Sequence, residues 1–234
     1  MGRLEEAKRQ LRRGADKEKA KGLQRFFKTG PGEYAEGDIF LGLTAALTRN
    51  IVKEFQDLAL SDLIKLLHSK IHEERVLALL IMVRQFDKVD IGAKEKIYKV
   101  YLANTKFINN WDLVDLSAPQ IVGGFLIYQD RKILYKLAKS SLLWDRRIAI
   151  LATFTFIRLG DFKDVFAIAK LLLGDKEDLI HKACGWMLRE AGKRNVQLEE
   201  EFLYKHCWIM PRTMLRYAIE KFPEQKRKIF LNAR

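Results

Sequence analysis

Only four prolines, Pro31, Pro119, Pro211 and Pro223, interrupt the chain. Between them apolar residues recur at helical spacing, which commits most of the sequence to amphipathic α-helices. Leu60, Leu63, Ile64 and Leu67 form one stripe, and Val76, Leu79, Leu80 and Val83 another. Similar stripes run through 94–102, 132–138, 147–157, 165–173 and 180–191, whereas strand-type alternation is hard to find. The breaks are brief and polar, as at Ser69–Glu74 and Gly160-Asp161.

Each short helix must bury its stripe against a neighbour. The expected fold is therefore all-α: HEAT-like helical repeats of about 40 residues, stacked into a curved solenoid with a basic concave groove. A compact, irregular helical bundle is the alternative. The expected organisation is one repeat domain over 1–234, with a charged helical segment, 1–28, leading into it. Lys28-Thr29-Gly30-Pro31-Gly32-Glu33 is read as a loop, because no Lys-Ser/Thr pair follows its glycines at the spacing of a phosphate-binding loop.

Lys and Arg outnumber Asp and Glu by 43 to 30, a formal net charge of +13, while 48% of residues are hydrophobic. Such a chain can bury a sizeable core and still present a cationic surface, which fits a nucleic-acid partner better than an acidic protein or a neutral metabolite. Lys106, Arg146, Arg189, Lys193, Arg194, Arg212 and Arg216 are candidate phosphate contacts whose value is collective. Cys184 and Cys207 are too few for a disulfide framework. No secretory segment or bilayer-length apolar run is evident, so the expectation is a soluble protein of the cytoplasm, nucleoid-associated when on DNA, with no membrane partner, and a monomer is the default. His68 and His72 lie four residues apart without a third ligand and are read as a solvated helix face or loop, and no cofactor or metal is expected.

Trp111 and Asp115 fall on one helical face. A carboxylate beside an indole is the odd element in a surface built for a polyanion. Three of the four tryptophans sit beside ionisable residues: Trp111-Asp112-Leu113-Val114-Asp115, Trp144-Asp145-Arg146-Arg147 and Gly185-Trp186-Met187-Leu188-Arg189-Glu190. Asp112, following Asn109-Asn110, suits a helix's first turn and requires no catalytic explanation.

These stretches, with Ile39-Phe40-Leu41-Gly42-Leu43, resemble the signature segments of the HEAT-like-repeat alkylpurine DNA glycosylases of the AlkD type, over about Phe26 to Tyr217. The resemblance implies a DNA glycosylase that hydrolyses the N-glycosidic bond of cationic N3- or N7-alkylated purines in double-stranded DNA and leaves an abasic site. It assigns the catalytic carboxylate to Asp115, cleft tryptophans to Trp111 and Trp186, and the active-site arginine to Arg147, with adjacent Arg146 competing. Where the family can carry an early cleft tyrosine, this chain offers Phe26 or Phe27, which keeps a ring face and loses a hydroxyl. A non-catalytic repeat module binding damaged or branched DNA by shape and charge is the alternative function.

Overall fold

A computed structural model describes residues 2–233, and among these it contains fourteen α-helices and no strand. The backbone divides between Ser117 and Ala118 into two compact units.

The first unit holds α1 (Arg3–Arg13), α2 (Lys17–Phe26), α3 (Ala45–Glu54), α4 (Leu60–Leu67), α5 (His72–Phe86), α6 (Ile91–Ala103) and the single-turn α7 (Trp111–Asp115). Helix α5 is its hub, packed against α1, α3, α4, α6 and α7. Side-chain caps start several of these helices: Asp16 accepts from the amides of Glu18 and Lys19, Thr44 from Leu47 and Asp90 from Ala93. The charged N-terminal segment is part of this unit, because Ala7 and Leu11 of α1 are fully buried.

The segment between α2 and α3 is irregular and tightly held. Ile39 forms one parallel bridge with Ile71, and the Glu73 carboxylate accepts from the amides of Leu41 and Gly42 at 2.8–3.0 Å. Gly42 has φ +84°, and a Cβ there would lie 2.2 Å from the carbonyl oxygen of Asp16, so no side chain fits. The polar run Ser69–Glu74 is correspondingly not a solvated break. Helix α5 begins within it at His72, and His72, Glu73 and Glu74 are buried because each has a polar partner.

The second unit contains α8 (Lys132–Leu137), α9 (Leu143–Arg158), α10 (Lys163–Leu171), α11 (Asp178–Gly192), α12 (Val196–His206), α13 (Arg212–Ala218) and α14 (Glu224–Asn232). A π-helical turn, Pro119–Gly123, precedes them and packs on α9, where Thr155 Oγ1 donates to the carbonyl of Pro119 at 2.5 Å. Helix α9 is buried nearly all round, as expected of a central helix. From α8 to α12 each helix packs on the next, and next-but-one helices do so too, α9 with α11 and α11 with α13. That is the layered stacking the all-α repeat pattern calls for. Pro211 and Pro223 stand immediately before α13 and α14, and the seven stripes read from sequence fall in α4, α5, α6, α8, α9, α10 and α11. Among the described residues no helix is long and apolar enough to cross a membrane.

Candidate active site

Helix α7 is too short to stabilise itself and is fixed by its surroundings. Asn110, fully buried, caps it by accepting from the Trp111 amide at 2.8 Å, and Leu113 and Val114 anchor its inner side at 0% exposure. Trp111 and Asp115, four residues apart, share another face and are both half-buried. Asp115 is therefore not one of the fully buried residues of the core.

Trp111 belongs to a run of stacked rings within the first unit. It lies parallel to Phe27 at 5.2 Å, Phe27 stacks on Phe40 at 5.0 Å, and Phe40 on the His72 imidazole at 4.4 Å. Phe26 meets Trp111 edge-on at 6.0 Å and is 64% exposed. The two phenylalanines thus divide the work expected of either: Phe27 packs in the core and Phe26 presents a ring to solvent. The indole N–H of Trp111 donates to the hydroxyl of Tyr34 at 3.3 Å. Sequence reasoning missed Tyr34, which supplies a hydroxyl near Trp111 from the glycine-rich loop after α2.

Behind these rings lies a buried polar cluster. His72 Nε2 hydrogen-bonds Asp112 Oδ2 at 2.7 Å, Arg75 Nη2 lies 2.5 Å from Asp38 Oδ2, and Arg75 Nη1 donates to Asn109 Oδ1 at 2.5 Å. His72, at 2% exposure, is therefore not on a solvated face. Burial alone would push the His72 pKa down, but its hydrogen bonds to Asp112 and Asp38 outweigh that and raise it. Asp38 is held low by His72 and Arg75 against the opposing effect of burial. Asp112 sits in the first turn as expected, accepting from the Leu113 amide, but it has this second partner. His68 is elsewhere, bonded to Asn104 and stacked on Phe107. Among the described residues no group of three or more His, Cys, Asp or Glu side chains could hold a metal ion.

In the second unit Arg146 and Arg147 part company. Arg146 grips Asp175 with Nε and Nη2 at 2.6 and 3.3 Å and donates Nη1 to two backbone carbonyls. That is a structural commitment, leaving it ill-placed for a phosphate. Arg147 is 4% exposed and donates Nη1 to the Leu179 carbonyl at 2.6 Å, next to the start of α11. Trp186 is half-buried on α11, 6.1 Å from the Phe154 ring. Burial would raise the Glu190 pKa, but Lys193, Trp186 and Arg194 hold it low. Arg189 pairs with Glu220, and Lys193 and Arg194 with Glu190, so these three cations are partly neutralised at home. Arg212 donates to the Leu231 carbonyl, whereas Lys106 and Arg216 are exposed. Trp144 is core, and burial pushes the Cys184 thiol pKa up, which makes it a packing residue rather than a nucleophile.

A family model described as DNA alkylation repair enzyme matches residues 7–222. Among solved structures the chain is similar to one described as a predicted DNA alkylation repair enzyme from Enterococcus faecalis, with a TM-score of 0.68 and 17% identity over 90% of this chain and 97% of that one. No curated protein matches the chain. At such low identity the structural likeness speaks for the fold.

Proposed function

The chain belongs to the DNA alkylation repair enzyme family, and from that premise we propose that it is a monofunctional DNA glycosylase acting on cationic N3- and N7-alkylated purines. The observation that carries this reading is the pairing on α7: a half-buried carboxylate, Asp115, on the same face as an indole stacked among aromatic rings, in a protein of net charge +13. An alkylated ring nitrogen makes the base cationic, so the bond to the sugar breaks with both electrons leaving on the base, and no strong general acid is needed. Positive charge then develops on the deoxyribose. Asp115 offsets that charge and takes a proton from the water that attacks the anomeric carbon. The faces of Trp111 and Phe26 offer π density to the cationic nucleotide, at ~0.5–2 kcal/mol each. Within the second unit, Arg147 is a buried cation fixed on the Leu179 carbonyl and Trp186 a half-buried indole, the features the family resemblance assigns to these two positions.

The test is base release from methylated duplex DNA by the protein and by Asp115→Asn. A fall of about a hundredfold is expected, the scale of losing one preorganised electrostatic partner. Equal release by both proteins removes Asp115 from the mechanism. Release by neither, with DNA binding that weakens steeply with salt, replaces the enzyme by a DNA-binding module.

A further inference from the structure

We infer that His72 is a positioning residue for α7, tethering through Asp112 the short helix that presents Trp111 and Asp115. The consequence for rate rests on the glycosylase reading above; the tether itself rests on geometry alone.

Burial of Leu113 and Val114 fixes which side of α7 faces inward but leaves the helix free to roll or slide by fractions of an ångström. Directional bonds remove that freedom. Two of them run from α5, one turn apart: Arg75 to Asn109 at 2.5 Å and His72 to Asp112 at 2.7 Å. The spacing matches on both sides, with residues 72 and 75 on the hub helix bonded to 112 and 109, so the two bonds flank Trp111. His72 is itself immobilised, with the Phe40 ring at 4.4 Å and only 2% of its surface exposed. Asp112 is the residue after Trp111 and lies three before Asp115, so a shift in its carboxylate moves both proposed functional side chains.

The charged groups facing His72 are Asp112, Asp38 and Arg75; its neighbours on α5 face elsewhere, Glu73 to backbone amides and Glu74 to Arg12. A proton on Nδ1 faces Asp38 Oδ2 at 3.7 Å, and without it Nδ1 accepts from Arg75 Nη2 at 3.4 Å. Nε2–H donates to Asp112 in either state, so the tether survives titration.

His72→Phe keeps a ring against Phe40 and removes the donor; His72→Gln restores an N–H of similar reach. Three readouts separate positioning from bulk stability: the indole ¹⁵N–¹H resonance of Trp111, assigned by its loss in Trp111→Phe; single-turnover base release from methylated DNA; and DNA affinity. His72→Phe is expected to shift the Trp111 resonance and slow base release by at least about tenfold, since a misplacement of about 1 Å can cost about a hundredfold. DNA affinity should stay within about twofold, because it is dominated by phosphate contacts. His72→Gln should recover most of the rate. If His72→Phe does not fold, Asp112→Ala, on the more exposed partner, makes the same cut and should give the same shift and slowing. An unmoved indole with an unchanged rate, or a glutamine variant as impaired as the phenylalanine, overturns the inference. If the unsubstituted protein releases no base, the glycosylase reading fails, and the indole resonance alone decides whether the tether exists.

Discussion

Gly185→Ala tests the packing that sets Trp186 in place. An added Cβ would lie 2.4 Å from the carbonyl oxygen of Met214, 2.5 Å from Tyr217 Cβ and 3.2 Å from the Ala218 amide nitrogen. All three belong to α13, and α11 with α13 makes the most extensive helix contact of the second unit. Ordinary contact needs about 3.4 Å, so the helices must separate by about an ångström, and backbone cannot swing aside as a long side chain can. Overpacking of this kind costs about 1–3 kcal/mol, with the rigid neighbours favouring the upper end. Replacing Gly by Ala in a helix returns about 1 kcal/mol. The net is a destabilisation of about 2 kcal/mol, or a fall in Tm of roughly 4–8 °C for a protein of this size. Gly22→Ala, in α2 with nothing within 4 Å of the added Cβ, is the control and should stabilise by about 0.5–1 kcal/mol. Thermal unfolding of both variants by circular dichroism decides the matter. If Gly185→Ala matches or exceeds the unsubstituted protein, as Gly22→Ala should, the close approach of α11 and α13 is wrong.

Two further outcomes follow from buried charge. Burial and the nearby Glu200 push the Glu199 carboxyl up to about 8 from 4.5, so between those values the folded protein holds a proton the unfolded chain has released. Its contribution to stability therefore declines as pH rises from about 4.5 to about 8, by at most a few kcal/mol at about 1.4 per pKa unit, and Glu199→Gln should flatten that part of the urea-unfolding profile. An unchanged slope would show that Glu199 ionises freely. Arg146→Ala strands Asp175, which is 5% exposed and retains an amide donor from Glu177, so stability should fall by about 3 kcal/mol. DNA affinity measured well below Tm should stay within about twofold, and a larger loss there would return Arg146 to the phosphate contacts.

What the sequence made legible was whatever repeats locally. Stripes such as Leu60 to Leu67 announce α4 because a helix face is written every three to four residues, and the prolines at 211 and 223 mark starts because a missing N–H costs nothing there. Ser69–Glu74 misled for the converse reason: polarity signals solvent unless a partner exists, and the partners of its buried residues lie 31 to 62 positions away. The same distance in sequence hid the surroundings of Trp111. Asp112 has a sufficient local role at a helix start, and nothing nearby in the chain indicates that its second oxygen meets a histidine 40 residues earlier. Tyr34 stands between Gly32 and Gly37 with nothing local to single it out, yet its hydroxyl meets the Trp111 indole across 77 positions. A stretch of sequence can state that Trp111 and Asp115 share a face. Burial of Leu113 and Val114 turns that face outward, but its fine placement is set by hydrogen bonds to residues in α5 and in the loop after α2, so a single change at His72 can disturb the proposed chemistry while leaving every residue of the recognisable motif intact.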